Sequence, residues 1–169
     1  MVEDAIAALV PYARDRKVSM AIEPLHPMYA AERSCITSLE EANVLAEKLD
    51  PGVVGIVVDV YHVWWDAMLE RELARARGRI RGFHVCDWLV PTPDMLMGRG
   101  MMGGGCIDIH RIRRLVEADG YTGCIEVEIL NQAIWDQPDF EVLQRMKERY
   151  LSCVLNPPSP KAPSRERES

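Results

Sequence analysis

Four strand-like runs in this chain each end in a side chain that can hold a cation or move a proton. Val18-Ser19-Met20-Ala21-Ile22 runs into Glu23, Gly55-Ile56-Val57-Val58 into Asp59, Ile80-Arg81-Gly82-Phe83 into His84, and Gly123-Cys124-Ile125-Glu126-Val127 into Glu128. An acid at the end of a buried apolar strand costs desolvation free energy unless its charge is compensated. Three carboxylates and one imidazole form a hard-to-borderline donor set suited to a divalent ion, Mn²⁺, Mg²⁺, Co²⁺ or Zn²⁺. The bland alternative makes each of them a solvated residue at a strand end. Recurrence at four equivalent positions favours the metal.

The elements that must position these groups alternate. Val2 to Lys17 has helical spacing of Ala5, Ile6, Leu9, Tyr12 and Ala13, weakened by Pro11. A strand from Val18 to Glu23 follows, then a loop, then a helix capped by Ser38 and running to Lys48, since Ser38 and Glu41 have capping-box spacing. Further strands are predicted at Val53 to Tyr61, Ile80 to Val85 and Gly123 to Leu130. Helices are predicted at Asp66 to Arg77, Ile107 to Ala118 and Pro138 to Val154. The stretch Asp87 to Cys106, rich in Gly, Met and Pro, is expected to be a loop where a binding lid sits. Strand then helix four times over, without hairpin signals, implies an α/β fold of parallel strands joined by right-handed crossovers.

Parity within the strands adds a direction. If Glu23, Asp59, His84 and Glu128 face one side, Ala21, Val57, Gly82 and Glu126 share it, while Ile22, Ile56, Val58, Ile125 and Val127 face the other. The second face calls for a helix layer; the first suits the interior of a barrel, with its chemistry at the C-terminal mouth.

Composition narrows the class. At 169 residues, 48% hydrophobic and 27% charged, the chain reads as one domain over residues 1–155 with a disordered tail at 156–169. A net charge of -6 argues against nucleic acid as a partner. No apolar run is long enough for a membrane span and the start does not read as a signal peptide, so a cytoplasmic protein is expected. The five cysteines, Cys35, Cys86, Cys106, Cys124 and Cys153, lack disulfide or zinc spacing and are expected reduced and mostly buried.

Together, Ala21-Ile22-Glu23-Pro24-Leu25, Val58-Asp59-Val60-Tyr61-His62, Gly82-Phe83-His84-Val85-Cys86-Asp87, Gly98-Arg99-Gly100 leading to Gly103-Gly104-Gly105-Cys106-Ile107-Asp108, and Gly120-Tyr121-Thr122-Gly123 leading to Glu126-Val127-Glu128 resemble the xylose isomerase-like TIM-barrel superfamily of sugar isomerases and epimerases. The resemblance spans about Val2 to Lys147 and matches the C-terminal half of that barrel. It implies Glu23, Asp59, His84 and Glu128 as ligands of one divalent metal, and Glu23 and Glu128 as the acid/base pair for proton transfer next to a carbonyl through an enediolate. It also implies His62 as a substrate-binding residue, against the alternative of a hydrogen-bonded structural histidine. Arg99 reads either as a holder of a substrate hydroxyl or phosphate oxygen or as a surface arginine. Asp87 is open between orienting His84 and capping the loop. Glu126 is expected to be buried, with its role open. His26, His110, Trp64 and Trp65 read as packing or surface, with Trp64 or Trp65 able to stack on a sugar.

The implied activity is metal-dependent isomerisation or epimerisation of a small-molecule sugar or sugar phosphate. The alternative is a half-barrel that is inactive alone, completed by a homo-oligomer or a missing N-terminal half. An abasic-site endonuclease of the same superfamily would need an Asp-Arg-His triplet where this chain has Gly98-Arg99-Gly100-Met101-Met102.

Overall fold

The structure, a computed structural model, describes residues 1–156. The tail expected at 156–169 lies outside the described residues except for Asn156. Helix α1 (Val2–Asp15) leads into strand β1 (Met20–Ile22), and a 3-10 turn (Pro27–Tyr29) leads to α2 (Leu39–Glu47) and β2 (Val54–Asp59). Short α3 (Val60–Val63) and α4 (Leu69–Arg75) precede β3 (Ile80–Val85) and the two-residue strands β4 (Asp87–Trp88) and β5 (Arg99–Gly100). The chain then runs through α5 (Ile109–Ala118), β6 (Ile125–Val127), α6 (Gln132–Trp135), α7 (Asp139–Arg149) and a π-helical turn (Tyr150–Leu155). The fold is α/β: β1, β2, β3 and β6 form a parallel sheet in that order, leaving β1 and β6 as its edges.

A register shift sets the site's parity. Ile56 lies opposite Ile80, yet Val57 lies opposite Gly82, so Arg81 is the extra residue of β3. A one-residue slip exchanges the faces of a strand. Without it Asp59 would align with Phe83; with it Asp59 aligns with His84, and His84 with Glu126. Gly55 makes the close approach possible, because a Cβ there would meet Arg79 O at 2.1 Å and Arg81 Cγ at 2.4 Å.

The outward face is apolar and covered. Ile56, Val58, Phe83 and Val85 are at most 1% exposed, beneath Leu39, Ala42 and Ala46 of α2, Leu73 of α4 and Ile112 and Val116 of α5. Ser38 accepts the Glu41 N–H at 3.2 Å and starts α2 as its spacing predicts. The inward face is open: Ala21 and Glu126 are exposed, and Val57, Gly82 and His84 are only half-buried. This is one wall of a barrel, with its interior side uncovered. Among the described residues no helix is long and apolar enough to cross a membrane.

Several sequence expectations change here. β2 stops at Asp59 rather than Tyr61, because the Asp59 carboxylate accepts the Tyr61 N–H at 2.9 Å and caps α3. The edge strands are shorter than expected, each having a neighbour on one side only. Pro11 is accommodated within α1, where it is exposed. The segment after β3 is not a simple loop, since β4 and β5 pair antiparallel within it. All five cysteines are free, but only Cys86 is buried; Cys35, Cys106 and Cys124 are exposed, Cys124 because it lies just before the uncovered edge strand.

Candidate metal centre

The C-terminal ends of the four parallel strands bring Glu23, Asp59, His84 and Glu128 together, with one ligand atom of each within 4.8 Å of the others. Parallel strands make this possible: all four chain ends emerge at one rim. Glu128 stays in line past the end of β6 because its N–H donates to Val85 O at 3.2 Å.

Each environment leaves a mark. His84 directs Nδ1 inward, 3.3 Å from Glu128 Oε2 and 3.7 Å from Glu23 Oε1, while Nε2 points to Glu126 Oε2 at 3.9 Å. Nδ1 is buried and makes no well-aligned hydrogen bond. An orphaned imidazole nitrogen among three carboxylates fits a divalent ion, for which neutral His and ionised acids are the ligand forms. Glu128 raises the His84 pKa, and His84 in turn holds the Glu128 carboxyl down at about 2. Burial moves Glu23 the other way, above its usual range. Asp59 is fully buried, and burial pushes it up to about 7 against the pull of Arg99 and the Tyr61 N–H.

Arg99 enters from β5 and is 4% exposed. Its Nη1 donates to Asp59 Oδ2 at 2.7 Å and Glu128 Oε2 at 3.1 Å, so it is no surface arginine. The flanking glycines leave room for this close packing. A Cβ at Gly98 would lie 2.1 Å from Asp94 O, and one at Gly100 would lie 2.5 Å from Leu89 Cδ2. Sequence reasoning missed Asn131, whose Nδ2 donates to Arg99 O at 2.9 Å and fixes that backbone.

His62 is also buried beside the cluster, its Nε2 3.8 Å from Asp59 Oδ2 and its Nδ1 accepting the His26 N–H at 3.1 Å. Burial lowers its pKa to about 3, so the ring is neutral at ordinary pH. An aromatic wall continues from it. Trp88 stacks on His26 with centroids 5.0 Å apart and lies 4.8 Å from Tyr61 and 5.6 Å from Trp64, while Trp65 meets His26 edge-on.

Asp87 does not touch the His84 ring; it accepts the N–H groups of Trp88, Gly103 and Ile107 at 2.9, 2.9 and 3.0 Å and so organises the loop. Glu126 is exposed rather than buried, because the inner face is uncovered. His110 stands away from the cluster, against Val154 O at 3.2 Å.

The family model for the xylose isomerase-like TIM barrel matches residues 1–149. The chain belongs to that family. Among solved structures, protein SMc04130 of Sinorhizobium meliloti 1021 is 52% identical, with a TM-score of 0.88 over 91% of this chain and 57% of its own. The IOLI protein, solved with a binding zinc atom, is 22% identical with a TM-score of 0.72, covering 88% of this chain and 53% of that one. The 3-keto-D-glucoside 4-epimerase YcjR of E. coli is 21% identical with a TM-score of 0.67, covering 89% and 52%. No curated protein matches the chain. The chain spans little more than half the length of these three structures, in keeping with a wall of four strands where a full barrel has eight.

Proposed function

We propose that this chain carries the metal-binding half of a sugar isomerase or epimerase that moves a proton at the carbon beside a carbonyl. The observation that carries the reading is the convergence of Glu23, Asp59, His84 and Glu128 from four adjacent strand ends. The zinc described for the IOLI protein and the epimerase activity named for YcjR lend it support. Glu23, Asp59, His84 and Glu128 would hold one divalent ion, which when bound polarises a carbonyl and a neighbouring hydroxyl.

The chain's own residues divide the remaining work. The two glutamates enter from opposite edge strands of the sheet and form the acid/base pair. Glu128 takes the proton from the carbon beside the carbonyl, leaving an enediolate, and Glu23 returns a proton to that carbon. One proton is taken up and one released, and exchange with solvent resets the pair. Neutral His62 and the guanidinium of Arg99 orient substrate oxygens, and the wall of Trp88, His26 and Trp65 packs against the carbon skeleton.

The test combines metal content with proton exchange. Protein purified without chelator should hold close to one divalent ion per chain, and with Mn²⁺ it should exchange deuterium from solvent into a keto-sugar at the carbon beside the carbonyl. Glu128→Gln should abolish the exchange. Full exchange in that variant would sink the assignment of the base, and well-folded wild-type protein without metal would sink the metal reading.

A second reading has its own observation. Among the described residues both sheet edges lack partners and the inner face is open, so on this reading the chain acts only after another half-barrel closes it. Metal binding without exchange, restored by adding the non-matching part of SMc04130, would favour that reading.

A further inference from the structure

Arg99 is tied firmly at its backbone and unevenly at its side chain. Its N–H donates to Leu130 O at 3.3 Å, and its carbonyl accepts from Asn131. Nη1 makes the short pairs to Asp59 and Glu128. Nη2, however, faces His62 Nε2 at 3.1 Å, while His62 Nδ1 already faces the His26 N–H at 3.1 Å. A neutral imidazole has one ring lone pair and a charged one has none, so in either form at least one of these contacts sets donor against donor. Nε of Arg99 is buried and has no partner among the described residues. One nitrogen of the guanidinium is well bound; the other two are opposed or idle.

Asp59 turns this into a competition. Its Oδ1 is committed to the Tyr61 N–H, and Oδ2, the oxygen left for the cluster, is the one Arg99 holds. An ion shared by Asp59 and Glu128 would press its charge against the guanidinium on the same oxygens, where burial leaves the repulsion weakly screened.

We propose that Arg99 is an exchangeable stand-in cation that neutralises Asp59 and Glu128 until a divalent ion displaces it, and that only this release frees its guanidinium for a substrate oxygen. The inference rests on the metal reading above and adds an order to it: ion first, substrate second. The fixed backbone confines the exchange to a side-chain rotation across the Tyr61 ring, whose centroid is 4.6 Å from Arg99 Cζ.

The experiment titrates Mn²⁺ alone into the full chain, wild type against Arg99→Gln and Arg99→Gly, counting free Mn²⁺ by electron paramagnetic resonance. Arg99→Gln should bind Mn²⁺ about tenfold more tightly, within the usual range of coupling between sites. In Arg99→Gly, low millimolar guanidinium should weaken Mn²⁺ binding in direct proportion to its concentration, while the same ionic strength of sodium chloride does not. A guanidinium effect that levels off, meaning both cations bind together, would overturn displacement, as would unchanged or weaker Mn²⁺ binding in Arg99→Gln. Should the variants not fold, ¹⁵N-arginine spectra of wild-type protein decide: Zn²⁺ must release the slowed rotation of a salt-bridged guanidinium, and an unaltered Arg99 signal refutes the idea. Absence of metal binding in wild type and variants alike defeats the metal reading itself, an outcome distinct from binding that is indifferent to Arg99.

Discussion

The two faces of the sheet are built from the same strands and are opposite in every other respect. On the outer face Ile56, Val58 and Phe83 are sealed beneath helices. On the inner face Ala21 and Glu126 are exposed, and the edges β1 and β6 have no second neighbour among the described residues. The outer face holds the sheet beneath its helices; the inner face carries the four convergent side chains and is open. Stability and the proposed chemistry therefore fall on alternate residues of one strand, Val58 in the sealed layer and Asp59 in the convergent cluster.

The largest test of that division is a pair of truncations. Phe83→Ala, in the sealed layer, is expected to cost about 3–5 kcal/mol, whereas Val57→Ala, one face away, should cost about 1 kcal/mol or less, both read by urea unfolding. Equal costs would erase the distinction between the faces. Asp59→Asn comes next, because it leaves the buried Arg99 charge without its best partner; a loss of about 3 kcal/mol is expected, together with loss of bound metal. A stable Asp59→Asn protein would show that Arg99 is already satisfied elsewhere.

A pH series separates the two faces by charge. Folded His62 stays neutral down to about pH 3, while in the unfolded chain it takes a proton near 6.5. Stability contributed by His62 is thus complete above about pH 6.5 and is lost as pH falls toward 3. At about pH 5.5 the shortfall is about 1.4 kcal/mol at most, and it should vanish in His62→Gln when the two metal-free proteins are compared by denaturant melts. The smallest effect belongs to Glu126→Gln. In the isolated chain it should change stability by no more than about 0.5 kcal/mol, since the carboxylate is exposed. Repeating the measurement after a complementary half-barrel has covered the inner face should raise the cost, and an unchanged value would mean that the face never closes.

Much of this arrangement was legible in the amino-acid order, and the failures have physical causes. The strand ends carrying Glu23, Asp59, His84 and Glu128 could be read because a buried β-branched run interrupted by an acid is conspicuous. The α/β class followed from strand–helix alternation. The end of β2 was misjudged because Val60 and Tyr61 favour strands, and only the Asp59 side chain bonding to the Tyr61 N–H turns them into a helix. The register shift at Arg81 was invisible in periodicity, although it aligns Asp59 with His84. The burial of Arg99 could not be read either, because it depends on carboxylates 40 and 29 residues away. Glu126 was misplaced since burial on the inner face depends on what lies across it, and none of the described residues does.

Asp87 has a consequence for how such a mouth diversifies. Its carboxylate holds the backbone of Trp88, Gly103 and Ile107, so both feet of the intervening segment stand on one buried residue. Val90 to Met97 form the arc between those feet and are tied back at Met95, whose carbonyl accepts the hydroxyls of Tyr29 and Tyr61, so an exchange that keeps this tie leaves the strand ends their anchors. The arc is thus a natural grafting point, where descendants of this chain can acquire new preferences while the four convergent side chains are inherited unchanged.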